Sequence, residues 1–384
     1  MYWGSHFKSL RAVETWRDMQ IATVKGGWRC FLVLERPPED LSWLEMIRRA
    51  GIEPIFVPRP KGHFDWHCVR KVYSLCRSLA VDVIHCHSIY TSPLIGAFLA
   101  RVPVRLWTDH NMNVYFEESR PPTLREKIAL STRTAAMFAT RILAVSKAVR
   151  DDLMEMGISE HLVLIQPNFR APMPAGPYDR FRIRKELGYK ESEIIVIAVG
   201  HAVAVKGWDL LLLAFRDVCA RVPQARLMLV GSITAPHEEK CRAELESLVR
   251  SENLGAVVRF TGQVQNVALI LAAADVFVLP SRSEACSLSL VEALEMRLPC
   301  IATRVGNAEE VVRDGVNGFI VERNDWRQLA GQLQKLVSDE ELRADFRRAS
   351  GVPASIPTLA EYGNQLFQLY ESLLGPCAIS VHAK

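Results

Sequence analysis

The sequence predicts an α/β protein with two parallel-sheet domains that face a central cleft, and three observations support this. The chain has 384 residues, more than one hydrophobic core usually organises. Apolar, β-branched runs alternate with amphipathic helical patterns, as in parallel sheets covered by helices on both faces. A segment with four prolines, residues 167–177, separates two halves of similar pattern. We therefore expect an N-terminal domain over 1–168, a C-terminal domain over 169–354, and a last helix within 355–384 that crosses back to the first domain.

Twelve apolar runs are candidate strands, and ligands of such sheets bind at the carboxyl ends of the strands. Amphipathic helices such as Leu210–Arg221 and Trp326–Val337 lie between them. The candidate strands are Cys30–Leu34, Ile55–Val57, Val83–Cys86, Val104–Trp107, Arg141–Ala144, Val163–Ile165, Ile194–Val199, Arg226–Val230, Val257–Phe260, Val276–Leu279, Cys300–Ala302 and Gly318–Val321.

Composition and charge narrow the class of protein. The net charge is +4, and residues 1–167 carry an excess of five positive charges while the remainder carries an excess of one negative charge. This excess is either ordinary surface or an attraction to an anionic membrane or acceptor. The nine cysteines form no CxxC pair, and the sequence shows neither a signal peptide nor an apolar run of membrane-spanning length. We expect a cytoplasmic protein, with peripheral contact to the inner face of the cell membrane as a hypothesis and no nucleic-acid partner.

Glu284 and Glu292 stand on either side of a helix start that follows the apolar run at 275–279. Eight residues of continuous helix span about 12 Å and turn the two side chains about 80° apart. The carboxyl groups of a glycoside hydrolase lie only about 5–9.5 Å apart, so this pair suits two parts of one long ligand better than hydrolysis. The alternative is structural: Ser289 and Glu292 would form a capping box.

A second motif runs from Gly200 to Gly207, between a candidate strand and a helix, and contains His201 and Lys206. A lysine beside a glycine at such a junction can bind a diphosphate and stabilise a leaving group. The alternative is a plain turn with a solvated lysine.

The order of the motifs resembles the retaining glycosyltransferases of GT-B fold known as family 4, or glycosyl transferases group 1. Five stretches carry this resemblance, which covers nearly the whole chain. They are residues 145–153 with 165–168, Val199–Gly207, Phe260–Gly262, Glu284–Glu292 and Val305–Gly318.

The resemblance implies two Rossmann-like domains and a nucleotide-sugar donor held mainly by the second. Lys206, with Gly200 and His201, would bind the donor diphosphate, Glu284 would face the sugar hydroxyls and Glu292 the ribose hydroxyls. Family members need no metal, so we expect no cofactor. Additional phosphate contacts would come from the N–H groups of Cys286, Ser287 and Leu288.

Histidines follow two candidate strands of the first half. His110, in the stretch Thr108–Asn111, resembles the family's cleft histidine near the donor sugar. His85 and His87 form an HxH pair, which could bind a metal, but with no third ligand nearby a hydrogen-bonding role is favoured.

The chain departs from the family pattern at two places. His201 stands where the family usually has arginine, which puts diphosphate binding in doubt because imidazole is largely neutral at pH 7. The family also opens with an apolar strand and a glycine-rich loop, whereas this chain starts at the loop, around Trp3–Ser5, and continues into a helix at about His6–Val24. We therefore expect an N-terminal domain without its first strand, from a truncated reading frame or a rearranged domain.

The function expected is transfer of a sugar from a nucleotide-sugar donor to a glycan, lipid-linked or other acceptor, in surface polysaccharide or glycoconjugate biosynthesis. The alternatives are a GT-B enzyme of another reaction type, an epimerase or a phosphorylase, and a catalytically inactive binding or scaffold protein. A helix over Thr123–Arg141, with the basic residues Arg125, Lys127, Arg133 and Arg141, is the hypothetical membrane contact.

Overall fold

The computed structural model describes residues 1–3, 28–37, 41–62, 64–87, 91–112, 122–170, 173, 178–231 and 236–375. The chain divides into two compact units. Unit 1 comprises Met1–Ala171 and Ser355–Lys384, and unit 2 comprises Pro172–Ala354. Among the described residues, no helix is long and apolar enough to cross a membrane.

Unit 1 contains a seven-stranded parallel sheet in the order β3-β2-β1-β4-β5-β6-β7. The inner strands β2, β4, β5 and β6 are mostly buried, as expected for a sheet with helices on both faces, whereas the edge strands β3 and β7 are partly exposed. The strands are β1 Tyr2–Trp3, β2 Cys30–Leu34, β3 Ile52–Phe56, β4 Val83–Cys86, β5 Val104–Asp109, β6 Arg141–Ala144 and β7 Val163–Ile165; the first five helices are α1 Leu41–Arg49, α2 Trp66–Ser78, α3 Thr91–Leu99, α4 Pro122–Ala136 and α5 Lys147–Glu155.

The expected absence of a first strand is wrong, because β1 is an inner strand of this sheet, between β2 and β4. Tyr2 pairs with Leu32 on one side and with His85 on the other. A strand of two residues is too short to stand out as an apolar run, and its place follows from the backbone pairing of its neighbours. Residues 4–5 of the expected loop and the helix expected at about 6–24 lie outside the described residues.

The helix expected over Thr123–Arg141 ends earlier than the sequence suggested. Its last helical residue is Ala136, and Arg141 begins β6, so Arg141 does not belong to the helix surface. The side chain of Arg125 lies outside the described part of the chain.

Unit 2 contains a six-stranded parallel sheet in the order β10-β9-β8-β11-β12-β13. This is the order of a dinucleotide-binding fold, with the first and fourth strands of the unit as neighbours. The strands are β8 Ile194–Val199, β9 Ala225–Val230, β10 Val258–Gly262, β11 Val276–Leu279, β12 Cys300–Thr303 and β13 Gly318–Val321; the helices are α6 Arg180–Glu186, α7 Trp208–Cys219, α8 Pro236–Ser251, α9 Val267–Ala273, α10 Leu288–Glu295, α11 Ala308–Val311, α12 Trp326–Ser338 and α13 Glu340–Ala349.

The last helix, α14 Leu359–Leu374, packs on the sheet of unit 1. Tyr362, Leu366 and Tyr370 recur every four residues, which places them on one helix face, and all three are buried with the apolar side chains of the sheet. The helix begins after Thr358, whose side chain forms a capping box with Glu361. The C-terminal segment is thus part of the first unit's core.

Candidate active site

In unit 2, β8 and β11 lie side by side, and the chain continues from them toward opposite edges of the sheet. Such a switch point opens a crevice at the carboxyl ends of the two strands, where open α/β sheets bind ligands. Both sequence motifs of this unit leave these strands: the loop from Gly200 to Gly207 follows β8, and Pro280–Glu284 follows β11.

The two loops approach each other so closely that one position must be glycine. Gly207 has a positive φ of 63°, and a Cβ atom built on it would lie 2.0 Å from the carbonyl oxygen of Pro280. Gly306 is similar, since its Cβ would lie 2.8 Å from the carbonyl oxygen of Glu284. The backbone therefore fixes the position of the loop that carries Glu284.

Arg282 connects the same two loops by hydrogen bonds. Its guanidinium donates to both carboxylate oxygens of Asp209, at 2.8 and 2.6 Å, and its backbone N–H donates to Val205 at 2.8 Å. A bidentate pair of this kind holds a geometry better than a single contact. Neither residue stands out in the sequence, because an arginine after a strand and an acid in the first turn of a helix are common.

Lys206 and Glu284 meet at the centre of the crevice. Lys206 ends a short 3₁₀ turn, Ala204–Lys206, and its Nζ lies 2.6 Å from Glu284 Oε1. The hydroxyl of Ser281 donates to the same oxygen at 2.7 Å. Both charged side chains are mostly buried, with exposed fractions of 21% for Lys206 and 11% for Glu284. The site thus combines one cation with one carboxylate acceptor.

His201 lies beside a carboxylate that the sequence did not indicate. Its Nδ1 is 3.1 Å from Oε1 of Glu238, which is buried in the first turn of α8, while the imidazole itself is half exposed. Gly200 precedes it and donates its N–H to Val230 at 2.9 Å. The substitution of histidine for the family's arginine is therefore accompanied by an acid 37 positions further along the chain.

The start of α10 differs from the capping box that the sequence offered as an alternative. The N-cap is Ser287, whose hydroxyl accepts from Leu290 N–H at 3.3 Å, so Ser289 is not the capping residue. The N–H of Ser287 donates to Asn307 Oδ1 at 2.8 Å and is already used within the protein. Cys286 and Glu292 are half buried, and Leu288 is half exposed, with Glu292 at the fifth position of the helix.

In unit 1, three imidazoles gather at the carboxyl ends of β4 and β5. His87 Nδ1 lies 3.1 Å from His110 Nε2, and the two rings lie edge to edge with centroids 5.4 Å apart. Burial lowers the pKa of His85 to about 3 and that of His110 to about 4, and it lowers the pKa of His87 well below the usual value. All three rings are consequently neutral at pH 7.

Asp109, directly before His110, is fully buried. Its Oδ1 accepts from the Asn111 N–H at 3.0 Å, while burial raises the pKa of its carboxyl group to about 7. Across the described ranges, no group of three or more His, Cys, Asp or Glu residues is arranged to hold a metal ion.

Comparison with known proteins identifies the enzyme class. Residues 179–351 match the family described as Glycosyl transferases group 1, and residues 21–169 match Glycosyltransferase Family 4. The protein is a glycosyltransferase with a GT-B fold. The predicted enzyme class and the predicted two-domain fold are both confirmed.

Named relatives of this glycosyltransferase act on different substrates. It is 29% identical to N-acetyl-alpha-D-glucosaminyl L-malate synthase of Bacillus anthracis, over 74% of this chain and 72% of the relative. It is 25% identical to a D-inositol 3-phosphate glycosyltransferase of Corynebacterium kroppenstedtii, over 79% of this chain and 69% of the relative.

Solved structures show that the fold of this glycosyltransferase is shared. The Anabaena protein HepE in complex with UDP-glucose superposes with a TM-score of 0.79 at 20% identity, covering 97% of this chain and 98% of HepE. WaaG, a glycosyltransferase involved in lipopolysaccharide biosynthesis, superposes with a TM-score of 0.70 at 17% identity, covering 96% of this chain and 98% of WaaG.

Proposed function

We propose that this glycosyltransferase moves a sugar from a nucleotide-sugar donor to a glycan, lipid-linked or other acceptor, with retention of anomeric configuration. The pathway proposed is synthesis of a surface polysaccharide or another glycoconjugate. The observation that carries the proposal is the Lys206–Glu284–Ser281 cluster at the switch point of unit 2. The structures of HepE with UDP and with UDP-glucose support a nucleotide-sugar donor, so UDP-sugars are the first donors to test.

Lys206 has the chemistry to hold the donor diphosphate. A partly buried ammonium binds phosphate oxygens strongly, and it stabilises the negative charge that develops on the leaving nucleoside diphosphate. Glu284 balances the charge of Lys206 within the protein. A bound diphosphate would compete for Lys206 and leave Glu284 to accept hydrogen bonds from the donor sugar.

The other site residues take roles along the length of the donor. We assign the ribose hydroxyls to Glu292, further along α10, and additional phosphate contacts to the loop at Gly200 and His201 and to the N–H groups of Cys286 and Leu288. His110 of unit 1 would donate to, or accept from, the donor sugar. Because Lys206 supplies the positive charge, we propose that transfer needs no metal ion, so the rate in EDTA should equal the rate in buffer.

Thermal shift with a panel of nucleotide sugars identifies the donor, since a specific ligand raises the melting temperature by mass action. With that donor, Glu284→Ala should abolish transfer, while Glu244→Ala, on the exposed face of α8, should not change it. A Glu284→Ala protein with full activity would remove Glu284 from the site. The anomeric configuration of the product, read by NMR, tests retention.

Incubation of the donor without an acceptor tests the other GT-B reaction types. The transferase releases at most free sugar and nucleotide under these conditions. An isomerised nucleotide sugar, or a sugar phosphate formed with inorganic phosphate, would overturn transfer as the primary reaction.

We also propose that α4 rests on an anionic membrane that carries a lipid-linked acceptor. The exposed surface of α4 and of the residue that follows it combines apolar and basic side chains. Leu130 and Met137 are 62% and 77% exposed, and Lys127 and Arg133 are exposed beside them. The exposed Phe98 at the end of α3 extends the surface, because its ring contacts that of Phe138 at 5.4 Å. This combination is typical of surfaces that lie in a membrane interface.

Sedimentation with vesicles rich in phosphatidylglycerol tests the membrane contact. Reversal of both charges, Lys127→Glu with Arg133→Glu, should weaken binding at least about thirtyfold, because each basic residue near an anionic surface contributes about 1 kcal/mol. Lys240→Glu, on the exposed face of α8, is the matched control. Unchanged binding of the double variant would contradict the proposed surface.

A further inference from the structure

The histidines of unit 1 form a row in which each ring contacts the next. The rings of His85 and His87 lie over one another with centroids 4.3 Å apart, and those of His87 and His110 lie edge to edge with centroids 5.4 Å apart and an angle of 27° between their planes. His85 is wholly buried inside the sheet, and His110 is the half-buried outer member. The row therefore leads from the core to the edge where the strands end.

The inner ring is held at both of its nitrogens. The Tyr370 hydroxyl of α14 lies 2.6 Å from His85 Nδ1, and the Thr108 hydroxyl of β5 lies 2.6 Å from His85 Nε2. A ring fixed at two points cannot flip without breaking two short hydrogen bonds. His85 thus provides a rigid surface on which His87 is stacked.

The contact between His87 and His110 couples their tautomers. Both rings are neutral, and a neutral imidazole carries a proton on only one of its two nitrogens. A hydrogen bond between Nδ1 of one and Nε2 of the other requires one nitrogen with a proton and one without. Whichever nitrogen of His87 holds the proton therefore decides which nitrogen of His110 holds it.

We propose that His87 is a positioning residue that fixes the tautomer and ring orientation of His110. Because His87 contacts Nε2 of His110, the nitrogen of His110 that remains for a ligand is Nδ1. This Nδ1 acts either as a donor or as an acceptor, depending on the tautomer, but not as both. The part of this inference that concerns transfer rests on the proposed function of His110. The part that concerns the tautomer stands independently of any activity.

The backbone beside His110 supports the same arrangement. The Asp109 carboxyl group accepts from the N–H of Asn111, which forms a tight turn around His110. The turn fixes the main chain at His110, and His87 fixes the orientation of the His110 ring.

The test compares His87→Leu, which removes the hydrogen bond, with His87→Asn, whose amide can replace the ring nitrogen nearest the main chain. In protein with ¹³C-labelled histidine, the tautomer of His110 is read from its ring carbon shifts, and a His110→Asn protein identifies the signal. Wild-type protein and His87→Asn should show one tautomer. His87→Leu should show a mixture and should lower the turnover number about tenfold to a hundredfold, with less change in the donor KM.

His161→Leu is the matched control, because this exposed histidine lies in a surface turn and contacts Ser159. It should change neither the tautomer nor the turnover number. A single, unchanged His110 tautomer in folded His87→Leu protein would overturn the inference, and so would an unchanged turnover number. If no donor supports transfer at all, the proposed function fails, whereas the NMR result still decides the tautomer coupling.

Discussion

The two sheet edges of this glycosyltransferase at which the parallel strands end are built alike but differ in their electrostatics. The site of unit 1 lies at the carboxyl ends of β4 and β5, and that of unit 2 lies at the carboxyl ends of β8 and β11. In unit 1, buried imidazoles with lowered pKa values line the edge and are neutral at pH 7. In unit 2, an ammonium and a carboxylate lie 2.6 Å apart. The difference suggests that one edge suits hydroxyl groups and the other suits charged phosphates.

The edges also differ in how they are fixed. Glycines permit the backbone contacts of unit 2, where Gly207 approaches Pro280 and Gly306 approaches Glu284. Side chains fix the edge of unit 1, through the hydroxyls of Tyr370 and Thr108 and the stacked rings. We therefore expect glycine substitutions to disturb the edge of unit 2 and side-chain substitutions to disturb the edge of unit 1.

The largest expected effect separates the charged edge from the neutral one. Lys206→Ala should lower the turnover number about a hundredfold to a thousandfold, because it removes the positive charge proposed to stabilise the leaving group. His110→Asn should cost about tenfold, which is the scale of one neutral hydrogen bond. Steady-state kinetics with the identified donor, with Lys240→Ala as the control, give both numbers. If His110→Asn costs more than Lys206→Ala, the electrostatic contrast between the edges is wrong.

The next effect concerns the backbone of unit 2. Gly207→Ala should destabilise the protein by about 3 kcal/mol, because its Cβ would overlap the carbonyl oxygen of Pro280 and its φ is positive. Gly331→Ala, on α12 with no atom within 4 Å of the new Cβ, should instead stabilise it by about 0.5–1 kcal/mol. Urea unfolding measures both, and equal midpoints for the two variants would contradict the close approach.

The buried carboxyl group of unit 1 predicts a dependence of stability on pH. The pKa of Asp109 is raised to about 7, so its protonated form is favoured by folding, and this stability is lost as the pH rises from about 4 to about 7. Asp109→Asn removes the titrating group. The stability of the variant relative to wild type should increase by about 2 to 3 kcal/mol between pH 5 and pH 8. A constant difference in the free energy of unfolding across this range would show that Asp109 is ionised in the native state.

The smallest effect sharpens the role of His201. His201→Arg should tighten donor binding by up to about tenfold, because a guanidinium is always charged and can bind a phosphate through two N–H groups. His201→Gln, whose amide carries no charge, should bind the donor less tightly than His201→Arg. Isothermal titration with the identified donor checks both variants. Weaker binding by His201→Arg would indicate that the pair with Glu238 is needed as it stands.

Local sequence patterns determined the architecture and the principal site residues of this protein. Buried parallel strands appear as short apolar runs, so β11, Val276–Leu279, and β13, Gly318–Val321, were predicted with their observed bounds. Lys206 and Glu284 were recognised because each follows such a run at a helix start, and the structure brings them together. β1 was missed, because two residues contain no periodicity.

Only the tertiary structure decided which residues become partners of these groups. Lys206 and Glu284 are 78 residues apart, and Arg282 and Asp209 are 73 apart. The row of His85, His87 and His110 likewise depends on β4 lying beside β5 and on α14 bringing Tyr370 onto the sheet from 285 residues away. Local propensities report the geometry of a few consecutive residues, whereas these contacts follow from the order of strands in the sheet. The candidate site residues were therefore visible in the sequence, but the contacts between them were not.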